Sequence, residues 1–146
     1  MRRVSASAEI AVSPDELFAF LADVATLPEW QTGIVSARQT TPGPVRIGSV
    51  AHVVRELMGQ RLSVNLRVTA YEPGRRLALK SSASGIDVEA TLVLVPSAAG
   101  TRLTFEMGIK AGNIFMAPME GMVAGAAERD IADSVARLRE RFAAPG

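Results

Sequence analysis

The spacing of apolar residues changes period twice along this 146-residue chain. Ser5 to Val12 alternates small or apolar residues with polar ones and predicts an opening strand. Ser13-Pro14-Asp15-Glu16 then supplies an N-cap, a first-turn proline and a capping-box acid, so a helix is expected from Pro14, with Leu17, Phe18, Phe20 and Leu21 on its apolar face. A second, shorter helical turn is expected at Leu27-Pro28-Glu29-Trp30 and ends near Gly33. From Ile34 to Lys110 the period is two, which predicts strands near 34–40, 47–58, 61–71, 76–82, 87–96 and 101–110. Pro42-Gly43-Pro44, Gly59-Gln60, Pro73-Gly74, Ser84-Gly85 and Ala99-Gly100 mark the turns between them. Leu62, Val64, Leu66 and Val68 share one face of their strand, and Leu103, Phe105, Met107 and Ile109 share one of theirs. That is the pattern of antiparallel strands wet on one side and buried on the other. After Pro118 a helical stripe of Val123, Ala127, Ile131, Val135, Leu138 and Phe142 predicts a long helix to about Phe142, with Glu128, Arg129, Asp133, Arg137 and Arg141 on its solvated face.

Composition narrows the chemistry. With 48% hydrophobic residues the chain can bury a sizeable core, and one domain over residues 1–146 is expected. Sixteen basic residues nearly cancel fifteen acidic ones, so no global field draws the protein to nucleic acid, and none is expected as a partner. The absence of cysteine removes disulfides, thiolate metal sites and cysteine nucleophiles. His52 is the sole histidine, which rules out a multi-histidine metal site. No metal and no cofactor are expected, since phosphate-binding glycine loops and metal-ligand spacings are missing. The N-terminus lacks the continuous apolar run of a secretion signal. The most apolar window, 108–126, is interrupted by Lys110, Asn113, Pro118 and Glu120, so a cytoplasmic protein without a membrane span is expected.

Ser13-Pro14-Asp15-Glu16-Leu17-Phe18, Leu27-Pro28-Glu29-Trp30, Tyr71-Glu72-Pro73-Gly74-Arg75-Arg76-Leu77 and Gly100-Thr101-Arg102-Leu103-Thr104 resemble hallmarks of the START-like (SRPBCC) superfamily, in its polyketide cyclase/dehydrase-like branch. The order of strand, two short helices, six strands and one long helix matches as well. The resemblance implies an α+β helix-grip fold: a curved seven-stranded antiparallel sheet wrapped around a long C-terminal helix, with a deep hydrophobic cavity between them. Aromatase/cyclase members are thought to use a cavity arginine near the end of the strand that here runs Leu62 to Tyr71, where this chain has Thr69 or Ala70.

The expected function is the binding or carrying of a small hydrophobic ligand, cyclic or acyl. The alternatives are a cyclase/aromatase- or dehydratase-type enzyme and a protein-interaction module; a homodimer is compatible with each. Gly59-Gln60 fits a two-residue hairpin turn with glycine first, pairing Leu57 with Leu62, Arg55 with Val64 and Val53 with Leu66. Arg55 then points inward with Val53 and Leu66 and offers the cavity its polar handle, because a guanidinium among apolar walls needs an anion, a carbonyl or water. A three-residue turn would reverse the parity and bring His52 and Glu56 inside. Trp30 either stacks on a ligand at the pocket mouth or plugs its short helix onto the sheet. Leu92, Phe105, Met107, Phe115, Met119 and Met122 are the remaining expected lining, by strand parity and by the resemblance. Methionines suit either an adaptable pocket or ordinary core filling. Glu89 and Glu106 fall on polar strand faces and Glu120 on the helix flank, leaving no carboxylate pair for acid/base work and no assigned catalytic residue.

Overall fold

The computed structural model describes residues 1–57, 59–83 and 85–143, with Leu57 described in its backbone alone. Strand β1 (Arg2–Ile10) is followed by α1 (Pro14–Ala22), a 3-10 turn (Val24–Thr26), α2 (Leu27–Trp30), β2 (Ile34–Gln39), β3 (Val50–Leu57), β4 (Gln60–Glu72), β5 (Arg76–Ala83), β6 (Ile86–Ser97), β7 (Gly100–Ala111), a 3-10 turn (Ala117–Met119) and α3 (Glu120–Arg141). All seven strands form one antiparallel sheet in the order β1-β7-β6-β5-β4-β3-β2, so only the β1–β7 pairing joins strands distant in the chain. This is the helix-grip arrangement expected from the sequence.

Local chemistry accounts for the element ends. The Glu16 amide donates to Ser13 Oγ at 3.3 Å and Pro14 opens α1, as the capping motif predicts. Strand β1 begins and ends earlier than the alternation suggested. Its partner β7 is long enough to pair back to Arg2, while the Val12 amide turns onto the Ile10 carbonyl at 2.8 Å and closes the strand. Gly100 holds φ 138 beside this turn, and a Cβ on it would lie 2.7 Å from the Val12 backbone. Between Val68 and Ala70 the β4–β5 register shifts, so that Thr69 forms a bulge and Ala70 lies opposite Ala78.

The hairpin between β3 and β4 corrects the predicted register. Leu57 pairs with Gln60, Arg55 with Leu62 and Val53 with Val64, two residues away from the expected partners. Gly59, at φ 80, is thus the second residue of the connection, and Gln60 already belongs to β4. A slip of two preserves every face, because side chains alternate with a period of two. Residue 58 of this connection lies outside the described residues, as does Ser84 of the predicted Ser84-Gly85 turn.

Helix α3 packs its buried stripe of Val123, Ala127, Ile131, Val135 and Leu138 across β1 and β7. Phe142 stacks edge-on against Phe20 with ring centres 5.3 Å apart, tying the end of α3 to α1. Phe18 meets Tyr71 in the same manner. The core therefore concentrates where α1, α2 and α3 close over the sheet, and it leaves space between α3 and strands β4 to β7. Among the described residues no helix is long and apolar enough to cross a membrane.

Candidate functional site

That space is a cavity of about 340 Å3. Its apolar walls follow from strand parity: Leu62, Val64 and Leu66 on β4, Leu79 and Ala83 on β5, Ile86, Val88 and Ala90 on β6, and Met107 and Ile109 on β7. Val123 and Ala127 of α3 close one side, and Met116 and Met119 cover the entrance from the segment before α3. Gly85 makes that cover close-fitting, since its Cβ position lies 2.7 Å from Met116 Cγ. The polar lining residues are Gln31, Arg55, Gln60 and Ser81. An apolar enclosure with a few convergent polar groups, of roughly 300–1,000 Å3, is the usual form of a small-molecule site.

Arg55 reaches this cavity from β3 through its pairing with Leu62. It is half-buried, and its Nη2 donates to Gln31 Oε1 at 3.2 Å. Gln31 is itself buried, at the C-terminal cap of α2, where its amide donates to the Leu27 carbonyl at 2.9 Å. Asp130 of α3 is half-buried and forms no ion pair with Arg55, although the two charges act on each other. Burial pushes the Arg55 guanidinium below its ordinary value, while Asp130 pulls it back up. Burial also raises the Asp130 carboxyl, against the opposing pull of Arg55 and Arg129.

Of the residues expected to line the pocket, Arg55, Leu66, Met107 and Met119 do so. Trp30, Val53, Leu92 and Phe105 lie buried in the core outside its lining. Trp30, 1% exposed, takes the plug role: its ring sits edge-on to Phe105 with centres 5.8 Å apart, and its indole N–H has no described partner. Phe115 and Met122 lie outside the lining, 87% and 58% exposed. The helical period that turns Val123 inward turns Met122 outward, and Met116 fills the place expected of its neighbour Phe115.

Several lining positions were missed. The inward parity of β5 and β6 was available in the sequence and would have supplied Leu79, Val88 and Ala90 once β4 was oriented. Gln31 left no such signal, since its approach to Arg55 depends on how α2 crosses the sheet. His52 lies on the opposite face of β3 from Arg55, with its Nδ1 3.3 Å from Asn65 Oδ1. Glu89 and Glu106 are paired with Lys80 and Arg3. Among the described residues, no group of three or more His, Cys, Asp or Glu could hold a metal ion.

The chain is 25% identical over 143 residues to the protein Rv1546 of Mycobacterium tuberculosis, covering 97% of this chain and 99% of that protein. Its fold matches a START superfamily protein from Mycobacterium smegmatis with a TM-score of 0.75 at 18% identity, over 96% of each chain. It also matches the Zhui aromatase/cyclase of a Streptomyces species with a TM-score of 0.78 at 15% identity, over 97% of this chain and 93% of that one. With residues 1–143 matched by its model, the chain belongs to the family described as polyketide cyclase/dehydrase and lipid transport.

Proposed function

We propose that this protein binds and carries a small hydrophobic molecule, cyclic or acyl, whose apolar body fills the cavity and whose oxygen meets Arg55. The observation that carries this reading is the cavity of about 340 Å3, apolar on most of its surface and given a charged hydrogen-bond donor at one place. Arg55 has donors to spare, because a guanidinium carries five N–H groups and Gln31 takes one. Family membership supports hydrophobic-ligand binding in general. The chain acts as one domain over 1–146, in keeping with the single sheet that joins all seven strands. Its lack of cysteine suits a reducing cytoplasm.

An enzyme of cyclase or dehydratase type is the second reading, supported by an arginine in the cavity and by the family's description. Two positions weigh against the cyclase form: Thr69 is an exposed bulge, and Ala70 pairs with Ala78 on the face of β5 opposite cavity-lining Leu79.

Titration with the fluorescent probe N-phenylnaphthylamine tests the binding reading. Saturable binding is expected, and Met119→Trp should weaken it by narrowing the cavity while leaving the melting transition in place. No saturable binding, or equal binding by the variant, would count against a ligand in this cavity.

A further inference from the structure

Among the described residues Arg55 is the only charged group in the cavity lining, and it forms no ion pair. Asp130, whose charge acts on it, is not a lining residue. The side of the guanidinium that faces the cavity therefore meets no protein anion. A half-buried cation in that position is stabilised by an anion brought to it.

Gln31 stands beside it with a second set of donors. Its Oε1 accepts from Arg55 Nη2 at 3.2 Å, and this fixes the orientation of the carboxamide, because the reverse one would set donor against donor. The Nε2 is left to face elsewhere, and it has no hydrogen-bond partner among the described residues. It is not sealed in the packing either, since among those residues the Trp30 indole N–H alone is both sealed and without a partner. Gln31 is buried and lines the cavity, so its Nε2 opens on the cavity. That nitrogen shares a carbon with the oxygen Arg55 touches, so the two groups of donors stand side by side.

Backbone contacts hold Gln31 in place. Ile34, shortly after it, pairs with Arg55 across β2 and β3, and the Ile34 amide donates to the Gln31 carbonyl at 3.2 Å. Between them the Thr32 amide donates to Ser134 Oγ at 2.8 Å, and the Gly33 carbonyl accepts from the Glu56 amide at 2.6 Å. The segment is thus fastened to α3 on one side and to β3 on the other. Gly33, at φ 98, allows that approach, for a Cβ there would lie 3.3 Å from the Glu56 carbonyl oxygen. The Gln31 donors are in position before a ligand arrives, which lowers the ordering cost of binding.

We propose that Gln31 is a second ligand-binding residue and that with Arg55 it seats a carboxylate, so that the ligand is a hydrophobic monocarboxylic acid. This rests on the ligand-binding reading above and names its ligand class. One carboxylate oxygen accepts from Arg55 and the other from Gln31 Nε2, while the apolar body lies against the strand residues of the cavity wall. A ketone has a single oxygen and no charge, so it uses only part of this seat. An ammonium group brings charge and donors to a place that already has both, and is rejected. The other polar lining residues do not form the seat: Ser81 lies on β5, two strands from Arg55, and Gln60 is exposed at the start of β4, where water competes for its amide.

Fluorescence titration with naphthoate, acetylnaphthalene and ethylnaphthalene at neutral pH tests this, since the three share a ring system and differ in their oxygens. The parent should bind naphthoate about tenfold more tightly than acetylnaphthalene. Gln31→Met removes the donors and adds no charge. It should weaken naphthoate by about tenfold, the ketone by much less and the hydrocarbon hardly at all. Equal losses for naphthoate and ketone would make Gln31 a positioning residue for Arg55 and overturn the proposal, as would a parent without preference for naphthoate. If Gln31→Met does not fold, Gln31→Glu decides: its carboxylate pairs with Arg55 and offers no donor, so the preference for naphthoate should disappear, and a preference retained overturns the proposal. N-phenylnaphthylamine separates the two levels. Saturable binding of that probe by a parent that does not prefer naphthoate defeats this proposal alone, whereas failure to bind the probe at all defeats the ligand-binding reading and this proposal with it.

Discussion

Replacing Arg55 by methionine separates a binding handle from a structural one. Two effects on stability oppose each other. The variant loses the 3.2 Å bond from Arg55 to Gln31 and leaves the buried Gln31 oxygen without that donor, at a cost of about 1–3 kcal/mol. It also relieves the burial of a guanidinium that has no ion pair among the described residues, a gain of similar order. The sum should lie within about 1 kcal/mol of zero, or about 3 °C in melting temperature for a chain of this size. Binding should respond differently. A ligand oxygen that accepts from Arg55 makes a charge-assisted bond worth about 1.5–3 kcal/mol, so its loss weakens binding by roughly 10- to 150-fold. Calorimetric titration with acetylnaphthalene and ethylnaphthalene isolates this term, since the two share a shape and differ in one carbonyl. Arg55→Met should weaken the ketone by that factor and leave the hydrocarbon nearly unchanged. Equal losses for both ligands, or a melting temperature lowered by much more than 3 °C, would refute the handle and make Arg55 a packing residue.

Leu138→Ala should destabilise the fold by about 2–5 kcal/mol in denaturant titration, because Leu138 is fully buried, and deletion of the chain after Gly125 should abolish cooperative unfolding. Gly100→Ala should cost more than about 2 kcal/mol, since its new Cβ would meet backbone atoms of Val12 and Ile10 that cannot rotate away. Glu120 is held below the ordinary glutamate value chiefly by the Ala111 amide, which donates to it at 3.0 Å. A depressed folded value means stability that is present above the unfolded value and lost as pH falls through the folded one. Glu120→Gln should therefore melt below the parent at neutral pH, with the difference closing in acid.

The sequence by itself determined the order of elements, the strand faces and the inward direction of Arg55. These depend on period, caps and turns, which are properties of neighbouring residues. Even the misplaced hairpin left Arg55 inside, because an even slip of register preserves parity. What parity cannot say is which inward residues border empty space and which meet another element. Val53 and Leu66 both point inward, yet Val53 is packed in the core and Leu66 lines the cavity. Trp30 and Phe105 settle against each other for the same reason, and the choice among Phe115, Met116, Met119 and Met122 fell to the angle at which the chain turns from β7 into α3. The meeting of Gln31 and Arg55 at the edge of the cavity was beyond local pattern altogether, since it depends on how the end of α2 sits over β3. Only the closure of the helices over the sheet fixes such distances, and the cavity with its charged end exists at that level alone.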